Sequence, residues 1–332
     1  MRTRLKKIVY ISLRRICQIV SFILINLPII ILFNEKFELF PTKMEFPLSD
    51  IFANIYTNVE NYLRSHPLVL PISYPYSAPN TVVAGAFDVI QRYAFELWFP
   101  LVALGVVVVT AVLLGRAFCG WVCPFGFIQD IVGALNPNHL KVSHRTNYTL
   151  MKVKYWLLGV IILITTIFVL ARILNWHTLL EAFEPLTQGI YTAIDPSVFL
   201  FSAIPRIILE GRISLKTISE IIKWPYFFWL RLSILVFVIV LSFFVPRAWC
   251  RWFCPMGALQ GALSGNSVIR VSRRIALCLK EACKERYCME MCPMGINILR
   301  EHWENIKSRE CIRCLACIVA CKENALRLSV SL

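Results

Sequence analysis

The stretch "RAFCGWVCPFGFIQ" at residues 116–129 recurs in similar form at residues 247–260, as "RAWCRWFCPMGALQ". Eight of the fourteen positions are identical: an arginine, an alanine, two cysteines, a tryptophan, a proline, a glycine and a glutamine. Each copy follows a long apolar run and contains a C-x-x-x-C-P motif, at 119–124 and at 250–255. The sequence therefore predicts a duplicated unit in which a helical hairpin ends in a cysteine motif.

The apolar runs predict a membrane protein. Hydrophobic residues make up 58% of the 332-residue chain, whereas about 45–50% is usual for soluble domains. Four runs approach the length that a helix needs to cross about 30 Å of hydrocarbon; they are residues 16–33, 94–115, 155–174 and 227–245. We expect an all-α membrane domain over 1–246, with four transmembrane helices in two repeated hairpins. The first run lacks a small-residue cleavage site, which favours a retained helix over a signal peptide.

The distribution of lysine and arginine predicts the orientation. Segments 2–15, 116–154 and 247–332 hold six, five and fourteen of these residues, and segments 34–93 and 172–226 hold four and five. Because cytoplasmic segments are enriched in positive charge, we expect a multi-pass protein of the cell membrane with both termini in the cytoplasm. The net charge of +15 then reflects topology and contact with anionic membrane lipid. No nucleic-acid-binding motif accompanies it, so no nucleic acid is expected as a partner.

Residues 247–332 are charged and rich in cysteine, and they predict a small cytoplasmic α+β domain. The run C-x-x-C-x-x-C-x-x-x-C has the spacing of bacterial-type [4Fe–4S] sites, where three thiolates of one loop and a distant fourth hold each cluster. The expected ligands of one cluster are Cys278, Cys283, Cys288 and Cys321, and those of the other are Cys311, Cys314, Cys317 and Cys292. The wide gaps in the first set and Lys322 after Cys321 depart from the usual pattern.

Zinc is the main alternative for these tail cysteines, because structural zinc sites also use C-x-x-C pairs. Zinc ribbons use two such pairs, whereas three cysteines recur here in one run and a fourth follows. The pattern favours iron–sulfur clusters. Disulfides are not expected in a reducing cytoplasm.

The duplicated motifs supply four further cysteines, Cys119, Cys123, Cys250 and Cys254. Four thiols are what a third cubane requires, so a third [4Fe–4S] cluster is one hypothesis. Two alternatives remain open: each motif is a helix-ending element without metal, or its cysteines serve the tail clusters in another combination. Arg116 and Arg247 either offset the negative charge of a cluster or hold helix ends at the membrane interface.

A quinone site requires an apolar slot with a few polar groups, one of which exchanges protons. Glu96, His177 and Glu184 are the candidates, since they fall near the outer ends of predicted helices. The alternative is that they are solvated surface residues. No histidine falls within the second, third or fourth apolar run, so haem inside the bundle is not expected.

The four predicted helices, the paired motifs at 119–124 and 250–255 and the eight-cysteine tail resemble the NapH/MauN group of membrane-bound ferredoxin-type proteins. That group includes the membrane portions of NosR- and CcoG-like proteins. The resemblance implies electron transfer between the membrane quinone pool and a redox partner, and leaves open whether the chain is a quinol dehydrogenase subunit. The alternative is an accessory or maturation factor that supplies electrons to another metalloenzyme without turnover of its own.

Overall fold

The computed structural model describes residues 2–37, 67–183, 189–209, 226–274, 277–278, 286–300 and 304–330. The first half begins with the long helix α1 (Arg2–Phe37). A parallel pair of short strands follows, β1 (Leu68–Leu70) and β2 (Val83–Gly85). The remaining helices of this half are α2 (Ala86–Phe95), α3 (Leu101–Leu114), α4 (Ala117–Trp121) and α5 (Pro124–Ala134).

The second half again has a long first helix, a shorter second apolar helix and a final helix that begins at the cysteine motif. It contains α6 (His144–Ile173), α7 (His177–Ala182), α8 (Ile190–Ile194), α9 (Pro196–Leu209), α10 (Tyr226–Phe244) and α11 (Pro255–Leu263). Two segments are wound as π-helix, Phe199–Ala203 inside α9 and Trp249–Phe253 before α11. Helices α5 and α11 carry the ends of the two cysteine motifs. Each of them packs on the first long helix of its own hairpin and on the last helix of the other, so the two halves interlock.

The tail is a small α+β unit. Strand β3 (Ile269–Arg273) pairs antiparallel with β4 (Leu326–Val330), with Ile269 opposite Val330 and Arg273 opposite Leu326. The short helices α12 (Tyr287–Glu290) and α13 (Ala316–Ala320) lie between the strands in sequence. Both follow a residue with left-handed backbone, Arg286 and Leu315.

Two helices are long and apolar enough to cross a membrane, over Val9–Asn34 and His144–Ile173. Shorter apolar helices cover Leu101–Leu114, Pro196–Leu209 and Phe228–Phe244. Large apolar side chains stand exposed along α3 and α6, among them Val102, Trp156 and Leu163. A soluble protein rarely leaves such surfaces uncovered, which agrees with a membrane protein.

The predicted second run, 94–115, is not one helix. Helix α2 ends at Phe95 and α3 begins only at Leu101, after a turn in which Leu97 has a φ of 62°. Pro100 precedes α3, and its fixed ring and missing N–H prevent a continuous helix through this point. The 14 residues of α3 span roughly 21 Å at 1.5 Å per residue, which is shorter than the sequence predicts.

Segments 34–93 and 172–226, which the charge distribution predicts to lie outside the membrane, contribute to the core where the structure describes them. Ile72 and Tyr74 from the first, and Tyr191 and Phe199 from the second, pack in the same hydrophobic core as the cysteine motifs. A Cβ atom at Gly85 would lie 2.6 Å from the Ile72 carbonyl oxygen, so only glycine fits this close approach. The chain therefore folds back and closes this side of the core with well-packed apolar residues.

Candidate metal centre

The four cysteines of the duplicated motifs lie close together in the interior. Cys119, Cys123, Cys250 and Cys254 are each 4–6% exposed. Burial, together with the charges of Cys250 and Cys119, raises the pKa of Cys123 to about 12. Burial likewise raises the pKa of Cys254 well above its ordinary value, again with Cys250 and Cys119 as contributors. The duplicated sequence thus brings four thiols from both halves into one buried cluster.

The C-P dipeptide of each motif is a helix start. Cys123 and Cys254 occupy the N-cap positions of α5 and α11, and the prolines that follow take the first helical position, where a missing N–H costs nothing. The Gly257 N–H donates to the Cys254 sulfur at 3.4 Å. In the first copy, the Gly126 N–H donates to Cys123 and lowers its pKa in part. Both sulfurs therefore sit at helix N-termini, which lowers the cost of a thiolate and offsets part of the effect of burial.

The two arginines of the repeat cross from one copy to the other. Arg247 donates to the Cys119 carbonyl oxygen at 2.7 Å, and Arg116 donates to the Cys250 carbonyl oxygen at 3.1 Å. Both arginine side chains are fully buried. Each guanidinium thus fixes the backbone of the first cysteine in the opposite motif.

The two glutamines make the same exchange with the sulfur atoms. Gln129 Nε2 donates to Cys250 Sγ at 3.3 Å, and Cys119 Sγ donates to Gln260 Oε1 at 3.1 Å. Gln260 Nε2 is buried without a partner in the described structure. Turning the Gln260 amide by half a turn would offer this N–H to Cys119, as Gln129 does to Cys250. A thiolate needs that donor, so the orphaned amide fits a metal-bound form of Cys119.

The repeated glycines and tryptophans complete the arrangement. A Cβ at Gly257 would overlap the Arg116 guanidinium, and one at Gly126 would lie 3.0 Å from the Cys119 carbonyl oxygen. The Trp121 indole donates to the Arg313 carbonyl oxygen at 2.9 Å, whereas the Trp252 indole donates to Asn147 at the same distance. The glycines thus leave room for the crossing arginines, and the tryptophans tie each motif to a neighbouring element.

Each arginine also pairs with a buried carboxylate. Arg247 donates to both oxygens of Asp130, at 2.6 and 2.7 Å. Arg116 donates to Glu310 at 2.6 Å. Position 261, which corresponds to Asp130 in the second copy, is a glycine. The tail therefore supplies the acid that the second copy lacks.

A second cation reaches each carboxylate from the first helix of each hairpin. Arg14 donates to Asp130 at 2.7 Å and to the Gly120 carbonyl oxygen at 3.2 Å. Lys154 contacts Glu310 closely and donates to the Arg251 carbonyl oxygen at 3.3 Å. Positions 120 and 251 correspond in the repeat. The pseudosymmetry thus extends beyond the repeated motifs to residues that the sequence does not repeat.

The network carries excess positive charge. Burial tends to raise the pKa of Asp130, but Arg247 and Arg14 outweigh it and hold the pKa at about 2. The pKa of Glu310 is likewise lowered, because Arg116 and Lys154 outweigh its burial. With both carboxylates ionised, Arg14, Arg116, Arg247 and Lys154 leave two uncompensated positive charges, and the more exposed Arg15 also lies 3.5 Å from Asp130. A [4Fe–4S] cluster on four thiolates carries about two negative charges when oxidised, so the surroundings suit such a group.

Four of the tail cysteines also meet. Cys292, Cys311, Cys314 and Cys317 line one apolar cavity. Burial raises the pKa of Cys292 to about 12, with Cys314 and Cys311 adding to the rise, while the Met294 and Ile296 N–H groups donate to its sulfur. This set matches one of the two predicted tail clusters.

The other predicted tail set is Cys278, Cys283, Cys288 and Cys321. Cys283 lies outside the described residues, and the remaining three are partly buried. Across the described ranges, no three His, Cys, Asp or Glu side chains reach the spacing of ligands around a single metal ion. Ligands of a cubane stand farther apart than those of one zinc ion, because four iron atoms lie between them.

A family model described as a 4Fe-4S binding domain matches residues 96–143 and 227–275, once on each copy of the duplicated motif. MJ0750 of Methanocaldococcus jannaschii is 29% identical over 73% of this chain and 85% of its own length. The putative electron transport protein YccM of Escherichia coli K12 is 25% identical over 76% of this chain and 60% of its own. The ferredoxin-type protein NapH of Haemophilus influenzae is 25% identical over 68% and 66%.

The family model and these relatives support a NapH-type ferredoxin family for this chain. It is accordingly an iron–sulfur electron-transfer protein that binds [4Fe–4S] clusters and works with a redox partner. The resemblance drawn from the sequence is confirmed. No solved structure matches the chain.

Of the three quinone candidates, the structure describes the side chain of Glu96 alone. Glu96 is exposed and pairs with Arg92 at 3.2 Å. His177 is the first residue of α7, and its side chain is outside what the structure describes. Glu184 lies outside the described residues. Their role in quinone binding stays a prediction.

Sequence reasoning missed Arg14, Lys154, Asp130 and Glu310. Lys154 adjoins an apolar run, and a charge at membrane depth is usually functional or paired, so this residue carried a usable signal. Glu310 carried none, because it meets Lys154 from 156 residues away. The pairing of Glu310 with Lys154 follows only from the contact between the tail and the repeats, which the sequence does not indicate.

We expect Asp130→Asn and Glu310→Gln to destabilise the fold strongly. Removing one partner of a buried ion pair leaves an unpaired charge and costs about 3–5 kcal/mol. The control is Glu96→Gln, which breaks an exposed pair worth about 0–1 kcal/mol. Thermal unfolding of the three variants in detergent measures the difference, and equal shifts for all three would contradict a buried network.

Proposed function

We propose that this chain is a multi-pass membrane protein that passes electrons between the quinone pool and a redox partner through three [4Fe–4S] clusters. Cys119, Cys123, Cys250 and Cys254 would hold the first cluster. Cys292, Cys311, Cys314 and Cys317 would hold the second, and Cys278, Cys283, Cys288 and Cys321 the third. The observation that carries the proposal is the reciprocal network of Arg116, Arg247, Gln129 and Gln260 around four buried thiols.

Four crossings with both termini in the cytoplasm would place all three cysteine sets on the same side. The lysine and arginine distribution supports this orientation. The exposed apolar faces of α1, α3, α6 and α10 support contact with lipid. Helix α3 is short, and the chain from Tyr93 to Pro100, with exposed Trp98 and Phe99, would complete its crossing at the outer interface.

The proposed clusters would supply one-electron chemistry. The chain's own residues keep water from the first site and set its charge. Burial of Cys123 and Cys254 below 7% exposure lowers the local dielectric, and the two excess positive charges favour a reduced, more negative group there. Both effects tune the potential at which an electron would arrive.

A basic groove beside the tail supports a negatively charged redox partner. Its volume is about 1260 Å³. Its basic lining residues are His144, Arg145, Lys152, Arg300, Lys307 and Arg309. The groove also includes Ile296 and Glu310, which lie near Cys292 and next to Cys311. A partner with an acidic face would be steered to this groove and would dock close to the second cluster.

Replacement of single cysteines tests the assignment of the clusters. We expect Cys123→Ser and Cys254→Ser to lower the iron content of anaerobically purified protein by roughly four atoms per chain, and to leave the tail signals in electron paramagnetic resonance. Cys314→Ser should remove a different cluster with the same loss of iron. Cys17→Ser, in the first helix, is the matched control and should retain all iron. Unchanged iron in Cys123→Ser would reject a cluster at the duplicated motifs.

Quinone coupling is tested by mixing the oxidised protein with a reduced quinol analogue under anaerobic conditions. Bleaching of the iron–sulfur absorbance within the turnover time of an enzyme supports electron exchange with the quinone pool. Absence of bleaching, in protein with its full iron content, would instead favour an accessory factor that receives electrons elsewhere and delivers them to another metalloenzyme.

Orientation is tested with reporter fusions. Green fluorescent protein joined after Asn138 or Leu332 should fluoresce, whereas the same reporter joined after Asn175 should not, because it does not fold after export in the unfolded state. Alkaline phosphatase at the same three positions should give the opposite pattern. Any reporter pair that reversed this pattern would place the cysteine motifs on the outer face.

A further inference from the structure

We propose that a cavity lined by four arginines, at the end of the bundle opposite the tail, binds a phosphate-bearing anion. Its volume is about 730 Å³, which is within the usual range for a ligand site. The four arginines are Arg92, Arg172, Arg206 and Arg231. The description of this cavity as the outer site, and the comparison with the charge of outer segments, rest on the proposed topology, whereas the lack of carboxylate partners for three of its arginines does not.

The arginines come from four separate elements. Arg92 lies in α2, Arg172 in α6, Arg206 in α9 and Arg231 in α10. In the described parts of the two predicted outer segments there are four lysines and arginines, and all except Lys36 line this cavity. Outer segments of membrane proteins are poor in positive charge. Convergence of most of these cations on one cavity therefore indicates a site and not scattered interfacial residues.

The cavity contains too little negative charge to balance its arginines. Glu96 pairs with Arg92, and both are exposed. The Asp88 carboxylate is buried and accepts the Tyr76 N–H at 2.7 Å and the Thr192 hydroxyl at 2.6 Å. Burial raises the pKa of Asp88, which weakens it further as a counter-ion.

The other three arginines have no carboxylate partner in the part of the chain that the structure describes. Arg172 lies over the Phe95 ring at 4.8 Å, and Arg206 donates to the Ser77 carbonyl oxygen at 2.6 Å. Arg231 Nε is buried without any hydrogen-bond partner in the described residues. Arg172 and Arg206 are exposed, whereas Arg231 is partly buried. Because a desolvated guanidinium without a counter-charge is costly, an anion in the cavity would stabilise Arg231 most.

Phosphate matches this set of donors better than a carboxylate or a neutral ligand. Guanidinium groups bind phosphate oxygens in pairs, and three unpaired cations suit a group with several charged oxygens. A neutral quinone would leave the cations unpaired. Phe95, Val198, Ala203 and Ile207 add an apolar wall at the ends of proposed membrane helices, which favours a phospholipid headgroup over free phosphate.

The experiment uses the purified full chain in a neutral detergent. Binding is followed through the melting temperature on titration with phosphatidylglycerol, phosphatidylcholine or inorganic phosphate, and lipid phosphorus retained after detergent exchange is counted. We expect phosphatidylglycerol to raise the melting temperature, and the double variant Arg172→Gln, Arg231→Gln to bind it at least tenfold more weakly. Arg274→Gln, at an exposed arginine of the tail that lines neither this cavity nor the basic groove, is the matched control and should bind like the unchanged protein.

Arg231→Lys keeps the charge but loses the forked donor, and it guards against a simple folding defect. It should melt like the unchanged protein without lipid and bind phosphatidylglycerol more weakly. A response to phosphatidylglycerol alone identifies a lipid headgroup, and a response to inorganic phosphate identifies a free phosphate; both support the site. Equal binding by the unchanged protein and the double variant, or an equal loss in Arg274→Gln, would overturn it. Iron counted in the same samples reports on the cluster proposal separately.

Discussion

The structure depends on two buried arginines that reach across a pseudo-two-fold axis. Each holds the backbone carbonyl of the first cysteine in the opposite motif, and each is itself held by a carboxylate. Because a guanidinium with no exposure cannot be satisfied by water, neither half of the chain can bury its own arginine without the other half. The duplication is therefore an obligatory pair, and the four cysteines meet as a consequence of that pairing.

The two copies of the motif differ at the position of the buried carboxylate, and the tail supplies the carboxylate that the second copy lacks. Where the first copy has Asp130, the second has Gly261, and the missing carboxylate arrives as Glu310 from the tail. A Cβ at Gly261 would lie 2.8 Å from the Tyr155 hydroxyl, which donates to Glu310. Gly120 in the first copy likewise leaves room for the tail, since a Cβ there would lie 2.5 Å from the Ile312 carbonyl oxygen. The tail is thus fixed against the repeats next to Cys311, with its predicted cluster ligands near the paired motifs.

The sequence predicts that the two cysteine motifs form a pair, but not which other residues contact that pair. The identical positions at 116–129 and 247–260 predict a repeat, and the geometry gives each repeated residue type except the alanines a contact or a helix-start position to account for it. Arg14 and Lys154 escape notice because they correspond in space at an offset of 140 residues, where the motifs are offset by 131. Pro100 indicates a break in the run 94–115, whereas the apolar content of the run predicts one continuous helix. The inward packing of Ile72 and Tyr74 carries no periodic signal, because short irregular segments bury residues without a regular repeat.

When the four thiols are protonated, the positive charge of the surrounding network is not balanced. Burial raises the pKa values of Cys123, Cys250 and Cys254, so the thiols remain neutral when nothing binds them, and the two excess positive charges of the network then have no counterpart. A cluster at these cysteines would be held by thiolates that have lost their protons, and its negative charge would lie among Arg116, Arg247, Arg14 and Lys154. The unpaired Gln260 amide would then have an acceptor. A hydrophobic core would stabilise an empty fold equally well without these groups, so the buried cations are most simply understood as part of the binding site.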